Sequence, residues 1–289
     1  MKPAFLLGIG CQRGGTTWLY EYLAAHPQCA MSVPKELHVF DAALRPDLSE
    51  RFQNRRRAQL AELTDTAAVP LETHAGPAEL IQMTEDLSLY PRYFDRLAAT
   101  RPDCRVTGEI TPAYSALKAE HFRLIRRLME DAGYAIKVVF LLRDPIARAF
   151  SQMRLRDGNW TRWERFGVQA PSAAAHLRFA HACADPEVLL RTRYDWTLAA
   201  LDAAFEPEQV YIGFHETMFE PANVAALCAF LGIDVQPADA GLIVNQAPVI
   251  HPLADADTAV GQQAFDAVYA ACRARFGDGF IRSIWRNCP

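Results

Sequence analysis

The chain has 289 residues, enough for one large domain or two small ones. Its composition, 51% hydrophobic and 22% charged, excludes a disordered, collagen-like or coiled-coil polypeptide. With 34 acidic and 30 basic side chains the net charge is −4, so no general basic excess recruits nucleic acid and an anion must be met by locally placed Lys and Arg.

Residues 4–10 form an apolar run of strand type, closed by glycine. Lys2 before it imitates a signal peptide, but the run is short and no A-x-A pattern follows. No stretch reaches the roughly 18 apolar residues of a membrane span. Seven cysteines, with no C-x-x-C pair and no zinc-finger spacing, read as reduced, mostly buried thiols with no metal role. The expectation is therefore a cytoplasmic protein without a membrane span.

Residues 16–25 read as a helix with Leu19, Tyr22 and Leu23 on one face and His26-Pro27 as its stop. A short strand is predicted at 104–108, an amphipathic helix at 119–132 and the strongest strand at 136–142. A helix should begin near Pro145, another should span 194–205, and a strand should follow at 209–214. Apolar runs without alternation belong to strands buried on both faces, as in parallel sheets covered by helices. The segments 43–100 and 152–190 are mostly helical or irregular and rich in arginine (Arg51, Arg55, Arg56, Arg57; Arg154, Arg156, Arg162, Arg165). They are expected to be cap insertions over the mouth of the core. The predicted fold class is α/β: a three-layer, P-loop-like fold with a central parallel sheet flanked by helices, in a single domain over 1–289.

Between the first strand and first helix lies Gly10-Cys11-Gln12-Arg13-Gly14-Gly15-Thr16-Thr17-Trp18. Glycines there turn the backbone tightly and aim successive N–H groups inward, and the helix N-terminus adds partial positive charge. That is a recipe for a phosphate cradle. Gly10 and Gly15 have the spacing of the G-x-x-x-x-G-K-[ST] nucleotide loop, but Thr16 stands in the lysine position and the cation is Arg13. Without that lysine, ATP hydrolysis loses the group that bridges the terminal phosphates. The strand at 136–142 ends in Arg143-Asp144-Pro145, with Ser151 eight residues after the arginine. Ligands of open α/β sheets bind at the carboxyl ends of strands, so Arg143 and Ser151 can converge on one anion there. The bland readings are a tight strand–helix connection and an Arg143–Asp144 salt bridge.

Together the two motifs resemble the sulfotransferases that use 3′-phosphoadenosine 5′-phosphosulfate (PAPS). Residues Gln12 to Trp18 look like their loop for the 5′-phosphosulfate, and Arg143 to Ser151 look like their 3′-phosphate signature. Pro34-Lys35-Glu36-Leu37-His38-Val39-Phe40-Asp41 is similar to the Lys-Glu-x-His-Phe-Phe-Asp segment of carbohydrate sulfotransferases. Gly108-Glu109-Ile110-Thr111-Pro112-Ala113-Tyr114 is similar to their Glu-Lys-[Thr/Ser]-Pro-x-Tyr segment, with Ile110 where several of them carry lysine. Gly213-Phe214-His215-Glu216 through Ile233 also looks like a later strand, acidic turn and helix end of the family.

The resemblance implies PAPS as co-substrate, no metal, and transfer of a sulfuryl group to a hydroxyl or amine of an acceptor, with carbohydrate favoured. It implies cofactor contacts from Gln12, Arg13, Gly14, Gly15, Thr16, Thr17, Arg143 and Ser151, with Arg13 also stabilising the leaving 5′-phosphate. Trp18 either stacks on the adenine or packs as core. Glu36 is the expected general base, and His38, two residues on, orients the acceptor or takes the proton itself. The arginines at 51–57 read as a solvated helix face or a contact for an acidic acceptor, and His215 as a core or surface histidine. Competing readings are an atypical P-loop kinase or NTPase and a nucleotide-binding protein without catalysis. The sequence does not determine the oligomeric state.

Overall fold

The apolar runs become strands whose two faces enter two different cores. In strand β1 (Ala4–Gly10), Phe5, Leu7 and Ile9 face one core and Leu6 the other. In β4 (Ala135–Leu142), Ile136, Val138, Phe140 and Leu142 alternate in the same way with Val139 and Leu141. Each such side chain, fully buried, contributes roughly 2 kcal/mol, and the one charged residue of β4, Lys137, is half-buried and donates to the Phe230 carbonyl. The computed structural model describes residues 2–62, 73–157, 175–237 and 253–289.

With β2 (Cys29–Met31), β3 (Val106–Ile110) and β5 (Val210–Phe214), these strands form one parallel sheet in the order β2-β3-β1-β4-β5. Helices α1 (Thr16–Ala25) and α11 (Pro221–Leu231) cover one face with Leu19, Leu23, Val224 and Leu227. The other face is covered by α5 (Leu89–Ala99), α6 (Ala119–Asp131), α7 (Pro145–Asp157), α10 (Tyr194–Asp202) and α12 (Asp255–Phe276). The remaining helices are α2 (Val39–Leu44), α3 (Pro46–Glu62), α4 (Pro77–Glu85), α8 (Ala175–Ala184), α9 (Pro186–Leu190) and α13 (Asp278–Ile284). The architecture is the three-layer α/β sandwich expected.

Local departures have physical causes. β3 starts at Val106, not 104, because Ala4 pairs with both Val106 and Ala135 and so sets the register of its neighbours. The chain leaves α10 at Asp202, short of the predicted 205, and Phe205 then packs edge-on against Phe122 at 5.9 Å. β2, at three residues, is too short for any pattern to announce it. Within 43–100, α5 lies on the sheet itself: Tyr90 and Phe94 contact Phe5 with ring centroids 5.9 and 4.9 Å away. Of the segment 152–190, residues 158–174, with Arg162 and Arg165, lie outside the described residues.

The topology places the site. β1 is followed by α1 on one face of the sheet, and its neighbour β4 by α7 on the other. Chains that leave adjacent strands in opposite directions open a crevice at their carboxyl ends.

Candidate active site

The loop after β1 lines this crevice. Its start is tied to β4 by Cys11 N–H donating to the Leu141 carbonyl at 2.5 Å, and Gly14 N–H donates to the Cys11 carbonyl at 3.0 Å. Arg13 and Gly15 adopt positive φ, 68° and 89°, which turns the chain into the helix. Only glycine fits at 15, since a Cβ there would lie 2.6 Å from Met218 Sδ in addition to the strained φ. Among the described residues, the N–H groups of Gln12, Gly15, Thr16 and Thr17 donate to no protein acceptor. They make a concave set of donors at the positive end of α1.

Cations gather at the same edge. Arg143, immediately beyond β4, donates from Nη1 to the Arg13 carbonyl at 2.8 Å, while its Nε is buried without a partner. Arg13 Nε donates to Ser151 Oγ, 3.0 Å away on α7. Burial pulls the Arg13 guanidinium below its ordinary value, and the charges of Arg143 and Arg154 push it further down. Like charges held this close repel, and a bound anion relieves the repulsion. His215 follows β5 beside Gly15. Burial, helped by Arg143, depresses its ring to about 4, so it is neutral at pH 7, with a buried Nδ1 that has no partner.

A third segment reaches the crevice from the turn after β2. Lys35 Nζ lies 3.2 Å from Thr16 Oγ1 in the loop helix and 3.2 Å from Glu36 Oε1. Glu36 Oε2 is 3.3 Å from His38 Nε2, and His38 Nδ1 is 2.8 Å from Asp41 Oδ2. The Glu36 side chain keeps 40% of its surface exposed, whereas His38 keeps 8%. Burial alone would raise the Glu36 carboxyl, but the His38 hydrogen bond and Lys35 outweigh it and hold it below the usual range. Burial opposes charge on His38 as well; Asp41 and Glu36 override it and raise the imidazole to about 9. At neutral pH the pair is carboxylate and imidazolium.

The backbone of this segment is clamped on both sides. His38 sits in the left-handed region (φ 50°), and the buried Arg56 of α3 donates to the carbonyls of Leu37 and His38. From below, the buried Glu109 of β3 accepts from Leu37 N–H at 3.0 Å, Tyr114 Oη at 2.9 Å, and the hydroxyls of Tyr90 and Thr111. Tyr114 Oη in turn accepts from Val39 N–H at 3.0 Å. Replacing Glu109 by Leu would strand these four donors in the interior and is expected to cost about 3–5 kcal/mol. Urea unfolding measures it, and a loss under about 1 kcal/mol would contradict the network.

His38 also makes stability depend on pH. Because folding raises its value, its stabilisation is present in full below the ordinary 6.5 and fades as pH rises through about 9. The shift corresponds to about 3 kcal/mol. Thermal melting of the wild type should therefore fall between pH 7 and 9.5, while His38→Gln should be flatter across that window. Parallel curves for the two proteins would refute the assignment.

Of the residues singled out in the sequence, Gln12 to Thr17, Arg143 and Ser151 come together at the crevice, with Glu36 and His38 facing the loop through Lys35. Trp18 is 5% exposed, stacked on Tyr22 at 5.5 Å and edge-on to Phe219, so it packs as a wall of the core with one face already taken. Arg56 is buried under the Glu36–His38 turn and does not belong to a solvated face. Lys35 and Glu109 stood inside quoted motifs without a role, and their contacts span elements that local pattern does not connect. Among the described residues no group of three or more His, Cys, Asp or Glu is placed to hold a metal ion, and no helix is long and apolar enough to cross a membrane.

A family model described as the sulfotransferase family matches residues 3–237. No curated protein matches the chain. Among solved structures, a sulfotransferase from Alicyclobacillus acidocaldarius is similar at 22% identity, with 95% of each chain covered and a TM-score of 0.57. The sulfotransferase domain of the Synechococcus PCC 7002 olefin synthase is 19% identical, with 90% of this chain and 93% of that one covered and a TM-score of 0.49.

Proposed function

Because the chain belongs to the sulfotransferase family, we propose that it moves the sulfuryl group of PAPS to a hydroxyl of an acceptor, with Glu36 as general base. The observation that carries the reading is the convergence of Arg13, Arg143 and Ser151 on the amide-lined loop, next to an ionised Glu36. The loop amides, Thr16 and Thr17 receive the 5′-phosphosulfate, and Arg143 with Ser151 receives the 3′-phosphate. Trp18, already stacked on Tyr22, walls the donor site near the base.

In the reaction the acceptor oxygen attacks sulfur in line with the bridging oxygen. The new O–S bond forms as the old one breaks, and the old bond's electron pair stays on the 5′-phosphate. The acceptor's proton passes to the Glu36 carboxylate. His38, protonated below about 9, holds Glu36 by its Nε2 and is a poor proton acceptor at neutral pH, which favours Glu36 over His38 as the base. The resemblance of the Lys35-Glu36-x-His38 segment supports a carbohydrate acceptor. All seven thiols are free, which supports the cytoplasm as the compartment.

The test is incubation with labelled PAPS and pools of glycans, phenols and small alcohols, followed by analysis for labelled product and released 3′-phosphoadenosine 5′-phosphate (PAP). PAP bound without transfer in any pool would indicate a binding protein. Magnesium-dependent ATP turnover in place of both would indicate a kinase-like enzyme.

A further inference from the structure

We propose that Trp285 and Asn287, in the segment that follows α13, are positioning residues for the 3′-phosphate site: they fix the Arg143–Pro145 turn through Glu216 and Asp144. The inference rests on the reading of Arg143 and Ser151 as the 3′-phosphate contacts.

Two carboxylates make the connection. Asp144, directly after Arg143, is 3% exposed and its carboxylate accepts five hydrogen bonds. Oδ1 takes the N–H groups of Ile146 and Ala147 at 3.0 and 3.2 Å and the Tyr269 hydroxyl of α12 at 2.8 Å. Oδ2 takes Asn287 N–H and Nδ2, both at 3.0 Å. Glu216, just beyond β5, accepts Asp144 N–H on Oε1 at 2.9 Å and Trp285 Nε1–H on Oε2 at 3.1 Å. Asn287 thus holds the side chain of Asp144 from 143 residues away, and Trp285 holds its backbone by way of Glu216.

Both presumptive 3′ contacts hang on this cluster. The peptide between Arg143 and Asp144 is held at both atoms, its C=O by the Tyr194 hydroxyl at 3.0 Å and its N–H by Glu216. With its backbone fixed, Arg143 gives Nη1 to the Arg13 carbonyl and keeps Nε for an anion. Ser151 lies on α7, whose first turn Asp144 caps, so the same carboxylate sets where its hydroxyl stands. The segment is itself firmly seated. Trp285 is 1% exposed, with the rings of Phe214 and Tyr269 at 6.0 Å and Tyr194 at 6.4 Å, and Gln262 of α12 donates to the Asn287 carbonyl at 3.1 Å. A charge-assisted contact depends steeply on placement, so loosening the turn should be read out as affinity for the 3′-phosphate.

Equilibrium binding of PAP, 3′-AMP and 5′-AMP to the wild type, Asn287→Ala and Trp285→Phe tests this, with each substitution repeated in an Arg143→Met background. Trp285→Phe keeps a ring in the packing and removes only the donor to Glu216. Each single variant should weaken PAP and 3′-AMP by about fivefold and leave 5′-AMP within about twofold. Asn287→Ser, whose hydroxyl can still donate to Asp144, should recover part of the loss, and it carries the comparison if Asn287→Ala melts early. Because both residues act through Arg143, neither substitution should weaken PAP by more than about twofold further once Arg143 is methionine. A purely structural role would instead weaken all three nucleotides alike and persist in full in that background, and either result overturns the proposal. It also fails if the variants keep the wild-type ratio of PAP to 5′-AMP affinity. A wild type that binds PAP no better than 5′-AMP would overturn the 3′-phosphate reading together with it.

Discussion

Glu36→Gln is expected to lower sulfuryl transfer by about 10²–10⁴-fold while PAP affinity stays within about twofold. The amide keeps the size of the side chain and a carbonyl for Lys35, but it cannot take the acceptor's proton. Among the described residues the carboxylate pairs with Lys35 and His38 and not with Arg13, Arg143 or Ser151, so the 3′ side of the donor site should not register the change. Glu36→Asp separates charge from placement: it restores a base but pulls it away from His38 Nε2, now 3.3 Å from Oε2, and should recover only part of the rate. The pH profile gives a second readout. With Glu36 held below 4.5 by His38 and Lys35, and His38 titrating near 9, the wild type should show a plateau between about pH 5 and 9 that falls on both sides. A Glu36→Gln enzyme that turns over at the wild-type rate would remove Glu36 from the chemistry.

The second large effect is expected at Arg143. Arg143→Met should raise KM for PAPS by about 100-fold, with kcat within about threefold, because a charge-assisted pair contributes about 1.5–3 kcal/mol to binding. The preference for PAP over 5′-AMP should shrink by the same factor, since only PAP carries the 3′-phosphate. The guanidinium has a second duty: Nη1 holds the carbonyl of Arg13, a residue in the left-handed region. Arg143→Lys keeps the charge but not the fork, and should recover only part of the affinity. Ser151→Ala removes one neutral donor and should cost about fivefold. An unchanged ratio of PAP to 5′-AMP affinity in Arg143→Met would place the 3′-phosphate elsewhere.

The fold was largely legible in the sequence because its signals are local. Phe5 to Ile9 and Val138 to Leu142 are apolar at consecutive positions, and only a strand covered on both faces tolerates that. The glycines at 10, 14 and 15 and the Arg143–Ser151 interval point to an anion site for the same reason: each belongs to one strand-to-helix connection, Ser151 lying in the second turn of α7. Glu36 and His38 were visible only through the resemblance of their segment, since an acidic residue in a turn has no distinguishing local pattern.

What tertiary structure alone decided is the pairing of these pieces. Arg13 reaches Ser151 across 138 residues, and the buried Arg56 and Glu109 support Leu37 from 19 and 72 residues away. A run of arginines at 51–57 reads as a solvated face or an acceptor contact until α3 packs on α2 and the buried Arg56 donates to the carbonyls of Leu37 and His38. Trp18 reads in sequence as either a stacking platform or core, and the structure stacks Tyr22, one helical turn on, against one of its faces. Lys35 meets Thr16, 19 residues away, only because β2 sets its turn beside the N-terminus of α1. Strands and cradles are written by residues that touch within one element, whereas the pairing of Arg13 with Ser151 and of Lys35 with Thr16 depends on distances between elements, which the order of residues does not encode locally.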